Sequence, residues 1–142
     1  MQLRTMVQGD QQKRLDKFNY ILDDINKSNL PLLVEGKRDT KALKDLDCTG
    51  EIIELNNGNS LLSTVESLVK SYSSKSFIVL TDWDRTGNIL AEKLKRYGES
   101  CDLVPNMRIR DELIAIGSKD ITCIEELPTL IHKFRRETKA YR

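Results

Sequence analysis

The stretch FIVLTDWDRTG, residues 77–87, ends an apolar run with two aspartates one residue apart. Asp82 and Asp84 repel each other, and each carboxylate favours water or a cation over a buried strand end. A third acidic residue, Glu35, follows the apolar run LLV directly and precedes Gly36. Gly36 allows a tight turn or the close approach of a ligand. Residues two apart project to the same side of a strand while extended geometry persists. If the strand that ends at Glu35 lies beside the strand that ends at Asp82, three carboxylates converge on one crevice. Hard divalent cations such as Mg²⁺ take oxygen ligands and keep several waters. Holding such a cation is the chemistry these residues offer, because it relieves their repulsion. The plainer alternatives are that Asp82 caps the next helix, Asp84 is solvated, and Glu35 caps a helix or lies on the surface.

The elements that must position these residues alternate along the chain. From Asp10, apolar residues at Leu15, Phe18, Ile21, Leu22 and Ile25 recur at helical spacing, after a loose start over residues 1–9. PLLVEG reads as a buried strand, and RDTKALKDLD as a helix capped by Asp39 or Thr40. EIIELNNGNS reads as a second strand and a turn. Ser60 then caps a helix whose apolar face is Leu61, Leu62, Val65, Leu68 and Val69. SKSFIVLTD is the third strand, followed by a helix with Gly98 as its C-cap. CDLVP is a fourth strand closed by Pro105. Two further helices follow, one stopping at Gly117 and one bent or interrupted at Pro128. Such alternation implies right-handed βαβ units and a central parallel sheet of about four strands flanked by helices, an α/β fold. Its ligand site belongs at the carboxyl ends of the strands. Glu35-Gly36, the turn Asn57–Ser60, and Asp82–Asp84 all lie there.

At 142 residues the chain suits one domain. With 32% charged residues and a formal net charge of +1, a uniformly basic nucleic-acid coat is excluded, so any basic binding surface must be local. Cys48, Cys101 and Cys123 have no CxxC spacing. They read as reduced thiols rather than a disulfide frame or zinc site. The N-terminus has no signal-peptide apolar region, and no window approaches the ~20 apolar residues of a membrane span. The expectation is a soluble cytoplasmic protein with no membrane partner.

VEGKRD at residues 34–39, followed by VLTDWDRTG at 79–87, resembles the Toprim domain. This is the catalytic core of type IA and type II topoisomerases, bacterial primases, the ribonuclease that matures 5S ribosomal RNA, and OLD-family nucleases. The chain looks most like the small stand-alone Toprim proteins of archaea. The resemblance spans roughly residues 30–127. It leaves 1–29 as an N-terminal extension and helix packing on the core, and 128–142 as a basic C-terminal helix or tail. It implies a compact Rossmann-like Toprim fold, with Mg²⁺ or Mn²⁺ at Asp82 and Asp84. Glu35 would be the general acid/base or a further metal contact. Arg85 and Gly87 resemble the DREG that follows the aspartates in many topoisomerases, and the turn bearing Gly58 and Ser60 resembles a primase loop. Trp83 departs from the small residue or proline common between those aspartates; it either packs on the sheet or stacks on a base. The chain has no room for a topoisomerase tyrosine domain or the accessory regions of a primase.

Several cations flank the carboxylates. Lys37, Arg38 and Arg85 sit at the rim and suit phosphate. Arg108 and Arg110 follow the fourth strand and line the same edge, with Lys119 further off. The tail HKFRRETKAYR is a basic surface whose aromatics could stack on bases, and His132 is a surface or capping residue. DWDRT also fits the DxDxT nucleophile motif of haloacid-dehalogenase-type phosphatases. That motif usually opens its domain, whereas two βα units precede it here. The reading that follows is a Mg²⁺-dependent nuclease or phosphodiester-transfer enzyme acting on nucleic acid, RNA before DNA. Glu35, Asp82 and Asp84 are its catalytic and metal residues, and Lys37, Arg85, Gly36, Gly58, Ser60 and Gly87 its phosphate contacts. The alternative is a non-catalytic, metal-assisted nucleic-acid or nucleotide binding module working within a larger complex.

Overall fold

The computed structural model describes residues 2–73 and 75–140, with side chains for 9–73 and 75–138. The chain runs α1 (Gln2–Ser28), β1 (Leu32–Val34), α2 (Lys37–Asp45), β2 (Ile52–Glu54), α3 (Leu61–Ser71), β3 (Ser76–Val79), α4 (Arg85–Ser100), β4 (Val104–Asn106) and α5 (Arg108–Gly117). A 3₁₀ turn (Ile124–Glu126) then leads into α6 (Leu127–Ala140). The four strands form one parallel sheet in the order β2-β1-β3-β4. This is a Rossmann-like α/β fold. From β1 the chain first moves outward to β2, then returns past β1 to β3 and β4. The strand order therefore reverses between β1 and β3, and their carboxyl ends open the crevice at which such sheets bind ligands. Leu32 pairs with Ile78 and Leu33 with Val79, so Glu35 and Asp82 leave adjacent strands.

The alternating side chains of β1 and β3 supply two cores. Leu32, Val34, Ile78 and Leu80 face α1, α2, α5 and α6, where Phe18, Ile21, Leu43, Ile109, Leu113 and Phe134 are buried. Leu33, Phe77 and Val79 face α3 and α4, meeting Val65, Leu68 and Leu94. Both central strands are covered on both faces, which is why they read as unbroken apolar runs.

Several expectations need correction. Helix α1 is already helical at Gln2 rather than starting at Asp10; the first residues contain good helix formers and no proline. Gly98 does not cap α4, which continues to Ser100. A Cβ on it would stand 2.7 Å from Pro105 and 2.8 Å from Phe77, so the glycine lets the helix approach the sheet closely. Pro105 lies within β4, paired with Phe77, because an edge strand tolerates the missing donor. Pro128 occupies the first turn of α6 and neither bends nor interrupts it, since an N–H there would be unsatisfied anyway. On α3 only the stripe of Leu61, Val65 and Leu68 turns inward with Thr64; Leu62 and Val69 are 41% and 50% exposed. Phe134 of the C-terminal segment is a core residue beneath the Arg14 guanidinium, not a stacking platform. Tyr141 and Arg142 lie outside the described residues. His132 is exposed, as expected.

Gly87 sets the tightest contact near the crevice. A Cβ there would fall 1.9 Å from the Asp82 carbonyl oxygen, so only glycine lets α4 start against the end of β3. The Thr81 hydroxyl, fully buried, donates to the Gly87 carbonyl at 2.8 Å. Gly87→Ala is expected to destabilise the protein by at least about 2 kcal/mol, as overpacking against fixed backbone does. Urea unfolding of the two proteins is the measurement; equal midpoints would contradict the close approach.

Candidate functional site

Glu35 is the first residue beyond β1, and Asp82 lies three residues beyond β3. The Asp82 N–H donates to Glu35 Oε2 at 2.8 Å, joining the two sequence motifs directly. The Ile124 N–H donates to Asp82 Oδ1 at 2.9 Å, and the Gly87 N–H to Asp84 Oδ1 at 2.7 Å. Each of the three carboxylates thus rests one oxygen on a main-chain amide. Strand geometry does not persist through the aspartate pair. Asp84 is the N-cap of α4, while Asp82 turns toward the 3₁₀ turn, so they do not share a strand face. The capping role expected as an alternative for Asp82 belongs to Asp84.

The remaining partners come from several elements. Gly36 is the N-cap residue of α2, and its N–H donates to the buried Asp39 carboxylate at 3.1 Å. Asp39 therefore sits in the first turn of α2, not before it. Gly36 is extended, with open space where a Cβ would stand; it imposes no turn and leaves room for a ligand. The 6% exposed Arg110 reaches under the cluster. Its Nε donates to the Thr81 carbonyl at 3.0 Å, and its Nη2 to the Asp82 carbonyl at 2.6 Å and to Asn88 Oδ1 at 2.7 Å. Trp83 packs against the core, its indole N–H donating to the Ile121 carbonyl at 2.8 Å and its amide to the Thr122 carbonyl at 2.9 Å. The indole is thereby committed to the fold, not to a base.

A cleft of about 670 Å³ opens here, walled by Glu35, Gly36, Lys37, Arg38, Asp82 and Glu125, with Asp39, Glu54 and Asn56 beside them. Arg38 faces Glu125 across it at 3.6 Å, and the Thr40 hydroxyl holds Glu54 at 2.7 Å. Other expected contacts are elsewhere. Arg85 is exposed on the first turn of α4, and Gly87 serves its packing. Ser60 Oγ accepts from the Ser63 N–H as the cap of α3. Gly58 makes the turn with φ +81°, the conformation that favours glycine. Arg108 is taken up by Asp24 and Glu112, and Lys119 lines a different groove. Arg110 is at the expected edge but supports the strand end from inside.

Electrostatics identify what the cluster lacks. Burial pushes the Glu35 carboxyl above its ordinary range; the Asp82 amide opposes this, and the charges of Asp82 and Asp84 reinforce it. Burial likewise raises Asp82, with the Ile124 amide opposing and the Asp84 charge adding to it. Asp39 is raised by burial and by the charge of Asp82. Arg110 is lowered by burial, against the pull of the acidic groups around it. Among the described residues, no three His, Cys, Asp or Glu side chains form a ready-made metal shell. The donor chemistry nevertheless fits a hard cation: anionic oxygens only, in a half-buried cleft short of positive charge, each carboxylate retaining unused lone pairs.

The chain is therefore a parallel α/β protein with an acidic cleft at the point where its strand order reverses. No family model matches it. It is 36% identical over 129 residues to a UPF0292 protein of Methanosarcina barkeri, covering 89% of this chain and 88% of that one. A UPF0292 protein of Methanosarcina acetivorans matches with the same identity and the same shares. One from Thermococcus onnurineus is 37% identical over 111 residues, 78% and 80% of the two chains. The chain belongs to the UPF0292 family. A solved structure from Aquifex aeolicus superposes with a TM-score of 0.64 at 25% identity, over 76% of this chain and 95% of that one. No helix among the described residues is long and apolar enough to cross a membrane.

The raised carboxyls predict a pH signature. A carboxyl whose folded value lies above its unfolded one contributes stability that is complete below the unfolded value and lost as pH rises through the folded one. The ordinary values are 4.5 for Glu35 and 3.8 for Asp82. Asp82→Asn keeps the oxygen that meets Ile124 and removes the charge. In cation-free buffer it is expected to melt higher than the natural sequence at pH 7, on the ~0.5–2 kcal/mol scale of relieved functional-site strain. The gap should close below about pH 4, where the carboxyls are protonated in both states. Calorimetric melts across that range test this; a lower Tm for Asp82→Asn at pH 7 would refute it.

Proposed function

We propose that this protein is a metal-dependent phosphodiesterase of the Toprim class, acting on nucleic acid in the cytoplasm, with RNA favoured over DNA. The observation that carries the reading is the hydrogen bond from the Asp82 amide to the Glu35 carboxylate. It brings the two acidic motifs together at the ligand edge of the sheet. Asp82 and Asp84, with Glu35, would hold Mg²⁺ or Mn²⁺. Such an ion, when bound, supplies Lewis acidity toward a phosphate oxygen and neutralises charge on the displaced oxygen. Burial pushes the Glu35 carboxyl above its ordinary range, the direction that favours holding a proton, and the proposal gives it the general acid/base role. Lys37 places a cation on the cleft wall for a phosphate, and the open space over Gly36 admits one. Arg110 keeps the Asp82 carbonyl in place from below.

A second reading has its own support. Arg38 is engaged with Glu125 across the cleft, so one cation of the rim is already paired. This suits a module that binds phosphate with a metal's help and is active only within a larger complex.

Calorimetric titration of Mg²⁺ and Mn²⁺, with a short RNA present, into the natural protein and the Asp82→Asn/Asp84→Asn variant tests both readings. The same samples run on a gel report cleavage. The nuclease reading expects metal binding and cutting, both lost in the variant, with a rate loss of ~100-fold or more. Metal binding without cutting selects the binding module. Metal binding equal in the two proteins would remove the proposed site.

A further inference from the structure

A second concavity of about 670 Å³ lies between α1 and α5, apart from the acidic cleft. Lys13, Lys17 and Tyr20 line it from one stripe of α1, and Lys119 from the turn after α5, over a floor of Ala115 and Ile116. The three lysines enter no ion pair or side-chain hydrogen bond among the described residues, unlike Arg14, which is held by Asp10 and Asp120. Asp10 and Asp16 also line the groove, but Asp10 pairs with Arg14 and Asp16 accepts from Gln12. Net positive charge is therefore left facing the concavity. Tyr20 is 72% exposed beside it, an aromatic face without a packing role.

A short segment of chain links Lys119 of the groove to the acidic site. From Lys119 the backbone passes Ile121, which accepts from the Trp83 indole, to Ile124, whose amide holds Asp82. Those five steps span roughly 18 Å at most. This lies within the reach of a single strand occupying ~4–16 nucleotides.

We infer that the α1–α5 groove is a track for single-stranded nucleic acid, on which Lys13, Lys17 and Lys119 take successive phosphates and Tyr20 stacks a base. The inference rests on the nucleic-acid reading proposed above and adds where the strand runs beyond the cleft. The net charge of +1 excludes a general basic coat, so a basic binding surface has to be local, and this groove is one among the described residues. Unpaired lysines beside an exposed aromatic form the combination that binds strands without reading sequence.

The test is fluorescence anisotropy with a labelled, mixed-sequence single-stranded RNA, in EDTA so that a metal site is silent. The triple charge reversal Lys13→Glu/Lys17→Glu/Lys119→Glu is expected to weaken binding at least tenfold. The dependence of log Kd on log salt should flatten by about 2, as loss of three phosphate contacts requires. Tyr20→Ala is expected to weaken binding about fivefold or more. If the charge reversal disturbs the circular dichroism, the triple glutamine variant serves, with a smaller loss in the same direction. Unchanged binding by a folded triple variant overturns the track; if Lys37→Glu alone then abolishes binding, the cleft reading survives without it. Equal affinity for duplex RNA, together with indifference to Tyr20→Ala, overturns the single-strand assignment. Absence of any binding by the natural protein in EDTA overturns the track, while the metal-dependent reading is judged separately by the Mg²⁺ and Mn²⁺ titration.

Discussion

Negative charge concentrated at the ends of β1 and β3 is the constraint around which the surrounding structure is arranged. Three carboxylates stand close enough that their charges bear on one another, and for Glu35 and Asp82 burial already opposes ionisation. Main-chain amides are the support that adds no side chain to the cleft: those of Asp82, Ile124 and Gly87 each meet one carboxylate oxygen. Each amide has to be brought there by a different part of the fold. Parallel pairing of β1 with β3 delivers the first, the segment after α5 the second, and the first turn of α4 the third.

These deliveries explain residues that do not touch the cleft. Gly87 is needed because the start of α4 presses on the Asp82 carbonyl. Trp83 is needed because its two hydrogen bonds pin Ile121 and Thr122, and through them the segment that carries Ile124. Arg110 satisfies two carbonyls that the turn at Asp82 leaves facing the interior. A buried guanidinium is costly to desolvate, and here its three partners and the acidic groups nearby compensate. The interior cation also offsets part of the cluster's charge without occupying the space a ligand would use.

The alternation of strands and helices, the parallel sheet and the placement of Glu35 and Asp82 beyond the carboxyl ends of their strands were legible in the sequence because each rests on local patterns: apolar runs, helical periodicity and turn residues. Glu35, Asp82 and Asp84 were found because acidic residues at the ends of apolar runs are conspicuous. The pointing of the aspartates was not legible, since it depends on where α4 begins, and that is set by a tertiary contact at Gly87. Glu54 could have been found by the same strand-end logic, because it closes the apolar pair Ile52-Ile53. Glu125 carried no such signal; it reaches the cleft only because a loop folds back over the sheet edge. Gly98 was misread for a similar reason, its meaning lying in Phe77 and Pro105, which are distant in sequence. Whether Lys37, Arg85 or Lys119 faced the acidic residues also depended on helix placement that spacing alone does not encode.

Trp83 is the chain's one tryptophan, and it sits between the two aspartates with its indole tied to the opposite wall. The protein's ultraviolet emission is therefore a report from one place. A change in that emission during unfolding marks release of the strand end from the loop over it, and does not by itself measure melting of α3 or the far edge of the sheet. Loosening of that wall is thus visible through a single native chromophore, with no label attached.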